Sequence, residues 1–197
     1  MTEEIKARIQ SGNRCFFSLQ PLMKSKALSR TSKIRIYQTI IKPVVCYGCK
    51  TWTLTKHNEL LLQRFQRKIL RKVFRPIQDP ATGQYRIRTN AELETLYHSP
   101  NIIKTIKSQH LRWAGHVQRF PNSRLINMVW NQNPTGTRPL ERQRLRWRDK
   151  DLQTMNVNNW REAMMDRDQW RQIVFAARTH TGLLCYYVCV CKKVSLT

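Results

Sequence analysis

Apolar residues return at helical spacing along most of the chain. In the run Glu59–Arg75, ELLLQRFQRKILRKVFR, the residues Leu61, Leu62, Phe65, Ile69 and Val73 share one side of a helix turning about 100° per residue. Arg64, Lys68, Arg71 and Arg75 share the other, with Lys72 at its edge. A second pattern places Ile102, Ile103, Ile106, His110, Trp113, Ala114, Val117 and Phe120 on a packing face, and Lys104, Arg112 and Arg119 opposite, beside Ser108. A third gathers Trp160, Ala163, Trp170, Val174 and Ala177, with Asp166 or Asp168 as a cap. Tryptophans at such spacing anchor cores, and no ligand is assigned to them.

The boundaries follow from caps and breakers. Thr2 before Glu3 and Glu4 reads as a capped start, with Ile5, Ile9 and Phe16 inward. IRIYQTIIKPVVCYG begins as helix; Pro43 ends or kinks it, and VVCYG is expected to continue extended. Pro76, Pro80 and Gly83 mark a loop. Asn90 is expected to cap AELETLY, Ser99-Pro100 to break that helix, and Asn101 to cap the next. The expected fold is mainly α: a basic helical bundle in two small lobes, 1–75 and 90–184, joined by a Pro/Gly-containing linker at 76–89, with an unmatched tail at 185–197.

Charge changes the picture. Among 197 residues, 36 are Lys or Arg and 12 Asp or Glu, a formal net charge of +24. Such an excess repels itself in a compact state and calls for an anionic partner; RNA or DNA is the commonest, with an anionic membrane surface as competitor. The Glu59–Arg75 run sets six basic residues against one acid, whereas a merely solvated face mixes signs, so phosphate contact is the better reading. ERQRLRWRDK puts Arg142, Arg144, Arg146 and Arg148 at every second position, with Leu145 and Trp147 between: extended, a row of cations beside a stacking residue. No apolar run approaches the roughly 20 residues that span a bilayer, and MTEEIKARIQSG has no secretory core, so a nuclear or cytoplasmic rather than secreted protein is expected.

Catalytic chemistry is thinly provided. Two-metal phosphoryl transfer needs clustered carboxylates, yet Asp79 is the one aspartate in the first hundred residues. The close pairs Asp149/Asp151 and Asp166/Asp168 are explained by salt bridges and caps. His110 on an apolar face reads as a packed histidine without a nucleophile or orienter. Cys46-Tyr-Gly-Cys49 has CxxC spacing, but its only complement is His180, Cys185, Cys189 and Cys191, whose gaps suit no ordinary zinc module. Buried thiols are the simpler reading, and no metal or cofactor is expected.

The succession KIRIYQTIIKPVVCYGCKTWTLTK, LLQRFQRKILRKVF, RIRTNAELETLY, IKSQHLRWAGHVQRF and WREAMMDRDQWRQIVFAARTHTGL resembles the C-terminal portion of reverse transcriptases from non-LTR (LINE-type) retrotransposons, over about residues 3–184. The resemblance implies that residues 1–75 are the thumb, which grips the primer–template duplex, and that the rest is the region beyond it. It also implies that polymerase chemistry belongs to an upstream palm, a possible partner together with the fingers, and that this chain is not itself an enzyme. Departures exist: Glu141-Arg142-Gln143-Arg144 replaces Gly-Arg-Pro-Arg, Lys50 stands where many relatives have Glu, and the gap between Trp147 and Asp151-Leu152 is shorter than usual.

The leading expectation is therefore a non-catalytic fragment binding nucleic acid through Arg64, Lys68, Arg71, Lys72 and Arg75, then Arg142 to Arg148, then Lys104, Arg112 and Arg119. One alternative is a DNA-binding protein using Asn90–Phe120 as a helix-turn-helix. Another is a decayed element product without a selected function.

Overall fold

Thr55 opens the longest helix among the described residues. Its hydroxyl accepts from the Asn58 amide (3.3 Å), and α5 then runs Lys56–Phe74. Leu62, Phe65, Ile69 and Val73 are buried as the pattern requires; Leu61 is only half-buried, while Leu70 and Phe74 join the core. A computed structural model describes residues 1–79, 83–132, 151–152 and 159–179, and the fold is mainly α. Before α5 come α1 (Thr2–Ser18), α2 (Gln20–Lys24), α3 (Arg30–Ile36), a π-helical turn (Tyr37–Ile41), α4 (Lys42–Val45) and a 3₁₀ turn (Cys49–Thr51). After it come a two-stranded antiparallel hairpin of β1 (Ile77–Gln78) and β2 (Tyr85–Arg86), then α6 (Asn90–Tyr97), α7 (Ile102–Gln118), α8 (Leu125–Asn131), α9 (Trp160–Met165) and α10 (Arg167–Thr179).

The chain divides between Ile103 and Lys104. The linker expected over 76–89 therefore lies inside the first unit. Its hairpin is tied down by Arg86 to Glu92, and α6 packs on α5. The Ser99-Pro100 break is held from beneath: Gln38 Nε2 donates to Ser99 Oγ (3.0 Å), Lys42 Nζ to the Pro100 carbonyl (3.0 Å), and the Ile102 amide to Gln66 Oε1 (2.7 Å). Lys42 and Gln66 thus satisfy the irregular backbone before α7 while Gln38 holds the Ser99 side chain, so the first unit closes only after α6.

Pro43 does not end its helix, and VVCYG is not extended. A proline ring clashes with the carbonyl four residues back; the wider π-helical turn at Tyr37–Ile41 opens that spacing and the helix continues as Lys42–Val45. Gly48, at φ 71°, then turns the chain into the 3₁₀ segment that delivers Trp52, 1% exposed, to the core. Two caps also differ. Met1, with no side-chain cap, starts α1, and Thr89 rather than Asn90 starts α6 through a capping box with Glu92.

In the first unit α1 lies on α4 and α5, with Ile5 and Phe16 inward. Gly12 permits the approach: a Cβ there would stand 2.3 Å from Val45 Cγ2 and 2.9 Å from Phe65 Cζ. Gly12→Ala should therefore destabilise by about 1–3 kcal/mol from overpacking, against the roughly 1 kcal/mol of helix propensity it gains. Urea unfolding followed by far-UV circular dichroism checks this; a rise in the midpoint would contradict the close packing.

The second unit gathers Leu111, Ala114, Val117, Trp130, Leu152, Ala163, Met164, Trp170, Ile173 and Val174, with Trp113, Trp160 and Ala177 packed against them. Trp170 lies across α7 at Gly115, where a Cβ would be 2.3 Å from Nε1, and that Nε1 donates to the Leu111 carbonyl (2.9 Å). LRWAGHV and DRDQW, distant in sequence, thus form one contact. Asp166 Oδ1 accepts from the Asp168 and Gln169 amides (2.9 and 3.3 Å) and caps α10, while Asp168 pairs with Arg171. No helix among the described residues is long and apolar enough to cross a membrane.

Candidate nucleic-acid interface

Along α5 the basic residues are placed differently from one another. Arg64, Lys68 and Arg75 are exposed, and none has an ion-pair partner among the described residues. Arg67, between them, reaches Gln63 (3.4 Å) and Glu94 (4.0 Å). Arg71 is half-buried: Nη2 donates to Asn90 Oδ1 (2.8 Å) and Nε to the Arg88 carbonyl (3.4 Å). Lys72 stands over the rings of Phe16 and Phe17, its Nζ 4.8 and 5.4 Å from their centroids.

At the end of α5 these cations converge. Arg71, Lys72, Arg75 and Arg88, with Pro76 and Ile87, line an open cavity of about 340 Å³. Arg75 closes the helix at φ 60° and ψ 166°, a conformation costly for any residue with a Cβ, and Arg88 Nε holds its carbonyl at 3.0 Å. The carbonyl that α5 leaves orphaned is thus satisfied by a second cation. Arginine stems and apolar side chains supply the walls, and charged groups the rim.

Arg88, Ile87 and neighbouring Tyr85 were not among the expected contacts, because 76–89 reads as a linker. A signal exists nonetheless: Tyr85-Arg86-Ile87-Arg88 alternates apolar and basic residues with the period of a strand. Arg86 bends to Glu92 instead (Nη2–Oε1 2.6 Å, Nη1–Oε2 3.1 Å), and Glu92 also accepts from the Thr89 amide (2.8 Å). The Arg86 guanidinium, and after it the Thr89 amide, pull the Glu92 carboxyl down to about 2. A depressed carboxylate stabilises above its unfolded value, near 4.5, and loses that contribution as pH falls toward 2. The Thr89 amide should accordingly be protected from hydrogen exchange at neutral pH and released across that window. Glu92→Gln should abolish the pH dependence; persistence of it would implicate another group.

The third set falls in the second unit. Arg112 is exposed, but Arg119 is partly buried and donates to the Met164 carbonyl (2.7 Å), and Lys104 is half-buried. Burial lowers the Arg119 guanidinium below its usual range, with Arg167 adding to the effect. Ser108, expected on the basic side, is buried, and so is Leu111. Arg119 thus serves a structural contact, which leaves exposed Arg112 and half-buried Lys104 on the basic face of α7. Arg142, Arg144, Arg146 and Arg148 lie outside the described residues, as do Asp149, His180, Cys185, Cys189 and Cys191.

The remaining candidates among the described residues are buried. His110 is 1% exposed, its Nδ1 3.6 Å from Asp151 Oδ2, and Lys107 Nζ is 3.6 Å from the other carboxylate oxygen. Burial pushes the Cys46 thiol up to about 12 and the Cys49 thiol up to about 11, so both stay protonated and poor as metal ligands or nucleophiles. No group of three His, Cys, Asp or Glu among the described residues is placed to hold a metal. No known family, curated protein or solved structure matches the chain.

Proposed function

We propose that this chain is a non-catalytic C-terminal portion of a retrotransposon reverse transcriptase that grips an RNA/DNA primer–template through the basic side of α5. The observation that carries the reading is the convergence of Arg71, Lys72, Arg75 and Arg88 on one cavity, continued along α5 by exposed Arg64 and Lys68. Cations from two elements, one on a strained backbone, suit phosphates spaced along a strand. The net charge of +24 supports the same reading, and the resemblance of the ordered segments supplies the class of protein. Of the described aspartates, Asp166 caps α10, and Asp151 and Asp168 form ion pairs. A helix-turn-helix gains no support, because from Ile102 to Leu111 no residue of α7 is fully exposed, whereas a recognition helix presents its N-terminal residues to the groove.

Fluorescence anisotropy against an RNA–DNA hybrid, duplex DNA and single-stranded RNA over a salt series tests the proposal. Tight binding to the hybrid with a steep salt slope is the expected result. Binding that ignores salt would overturn it.

A further inference from the structure

The hairpin beside the basic cavity exposes what a phosphate site does not require. Ile87 is 74% exposed and lines the cavity; Tyr85, two positions earlier, is 73% exposed. Both apolar side chains stand in water although a buried core is available, and β2 does little to hide them. Strand alternation puts Tyr85 on the side away from Arg86, whose guanidinium is fastened to Glu92. The Tyr85 ring therefore stands on a hairpin held to α6 by an ion pair, two positions before Ile87, which lines the cavity with the cations at the end of α5.

We infer that this hairpin binds unpaired nucleotides: the base of a single strand stacks on Tyr85 and packs against Ile87 and Pro76, while Arg75, Arg88 and Lys72 hold the flanking phosphates. The inference rests on the nucleic-acid reading above and adds to the duplex held along α5 a single-stranded extension of the template at this hairpin. In a duplex the base faces are covered by their neighbours, so an aromatic ring on an exposed hairpin finds no partner there. In a single strand every base offers a face, and ring and cations together fit one nucleotide at a time.

The test uses the full chain and two labelled probes, an oligo(dT) single strand and a DNA duplex carrying the same number of phosphates. Tyr85→Ala should weaken single-strand binding roughly tenfold and leave duplex binding within about twofold. Tyr85→Phe, which keeps the stacking face, should bind both probes as the parent chain does. Because the side chain is exposed, circular dichroism of the variants should match the parent. Equal weakening on both probes, or none on either, overturns the inference while leaving salt-dependent binding intact. If the parent chain binds neither probe in a salt-dependent way, the nucleic-acid reading itself fails.

Discussion

Replacing Arg64, Lys68 and Arg75 together by Gln should flatten the salt dependence of nucleic-acid binding by about three units of slope and lower affinity on the order of 10²-fold at low salt. These three residues are exposed and have no ion-pair partner among the described residues, so their removal costs the fold little. Arg71 is excluded from the set because it holds Asn90 and the Arg88 backbone, and its loss would confuse binding with stability. Arg75 offers a sharper single test. Its φ of 60° is strained for a residue with a Cβ, so Arg75→Gly should raise stability by about 1 kcal/mol while weakening binding. A variant that grows more stable and binds less is what a site retained for its ligand would give. Unchanged slope in the triple variant, measured by anisotropy between low and high salt, would remove α5 from the interface.

The second large effect concerns the fold. Trp170→Ala should destabilise the second unit by about 3–5 kcal/mol, because the indole is 3% exposed and its removal leaves a cavity over Gly115. Trp170→Phe should cost less, about 1–2 kcal/mol, losing the bond to the Leu111 carbonyl but keeping most of the ring's volume. Gly115→Ala forces the converse clash and should fall between the two. Urea unfolding monitored by helicity ranks the three. A Trp170→Ala chain as stable as its parent would mean that the two sequence segments do not hold the unit together.

How much of this was legible in the residues varies element by element. The amphipathic pattern of α5 gave its buried face because a strip of leucine, phenylalanine and isoleucine at helical spacing has one packing solution. Its start was set three residues earlier than the apolar pattern suggested, by the Thr55 hydroxyl. The course past Pro43 was not legible: a π-helical turn depends on how one ring is accommodated, and propensity carries no trace of that. α8 went unread because LINMVWN is apolar nearly all round, and Trp130 and Asn127 are buried while Leu125 and Val129 are exposed. On α7 the basic side is expected to meet nucleic acid, yet the helix is covered on more than one side, as buried Ser108 and Leu111 record. Net charge alone overstates the cations left for a ligand, since Lys33, Lys42, Arg86 and Arg119, the last among the expected contacts, bond carbonyls and a carboxylate. The hairpin's contribution was hidden by its prolines and glycine, which mark a turn and say nothing about what the turn presents.

Trp52, placed in the first unit's core by the Gly48 turn, is the one tryptophan in residues 1–103; the remaining five come later in the chain. The two units therefore differ optically. Trp52→Phe would leave all indole emission to the second unit, and the difference between parent and variant spectra would isolate the first. Melting of each unit can thus be read in the intact chain, without cutting it at the helix where it divides.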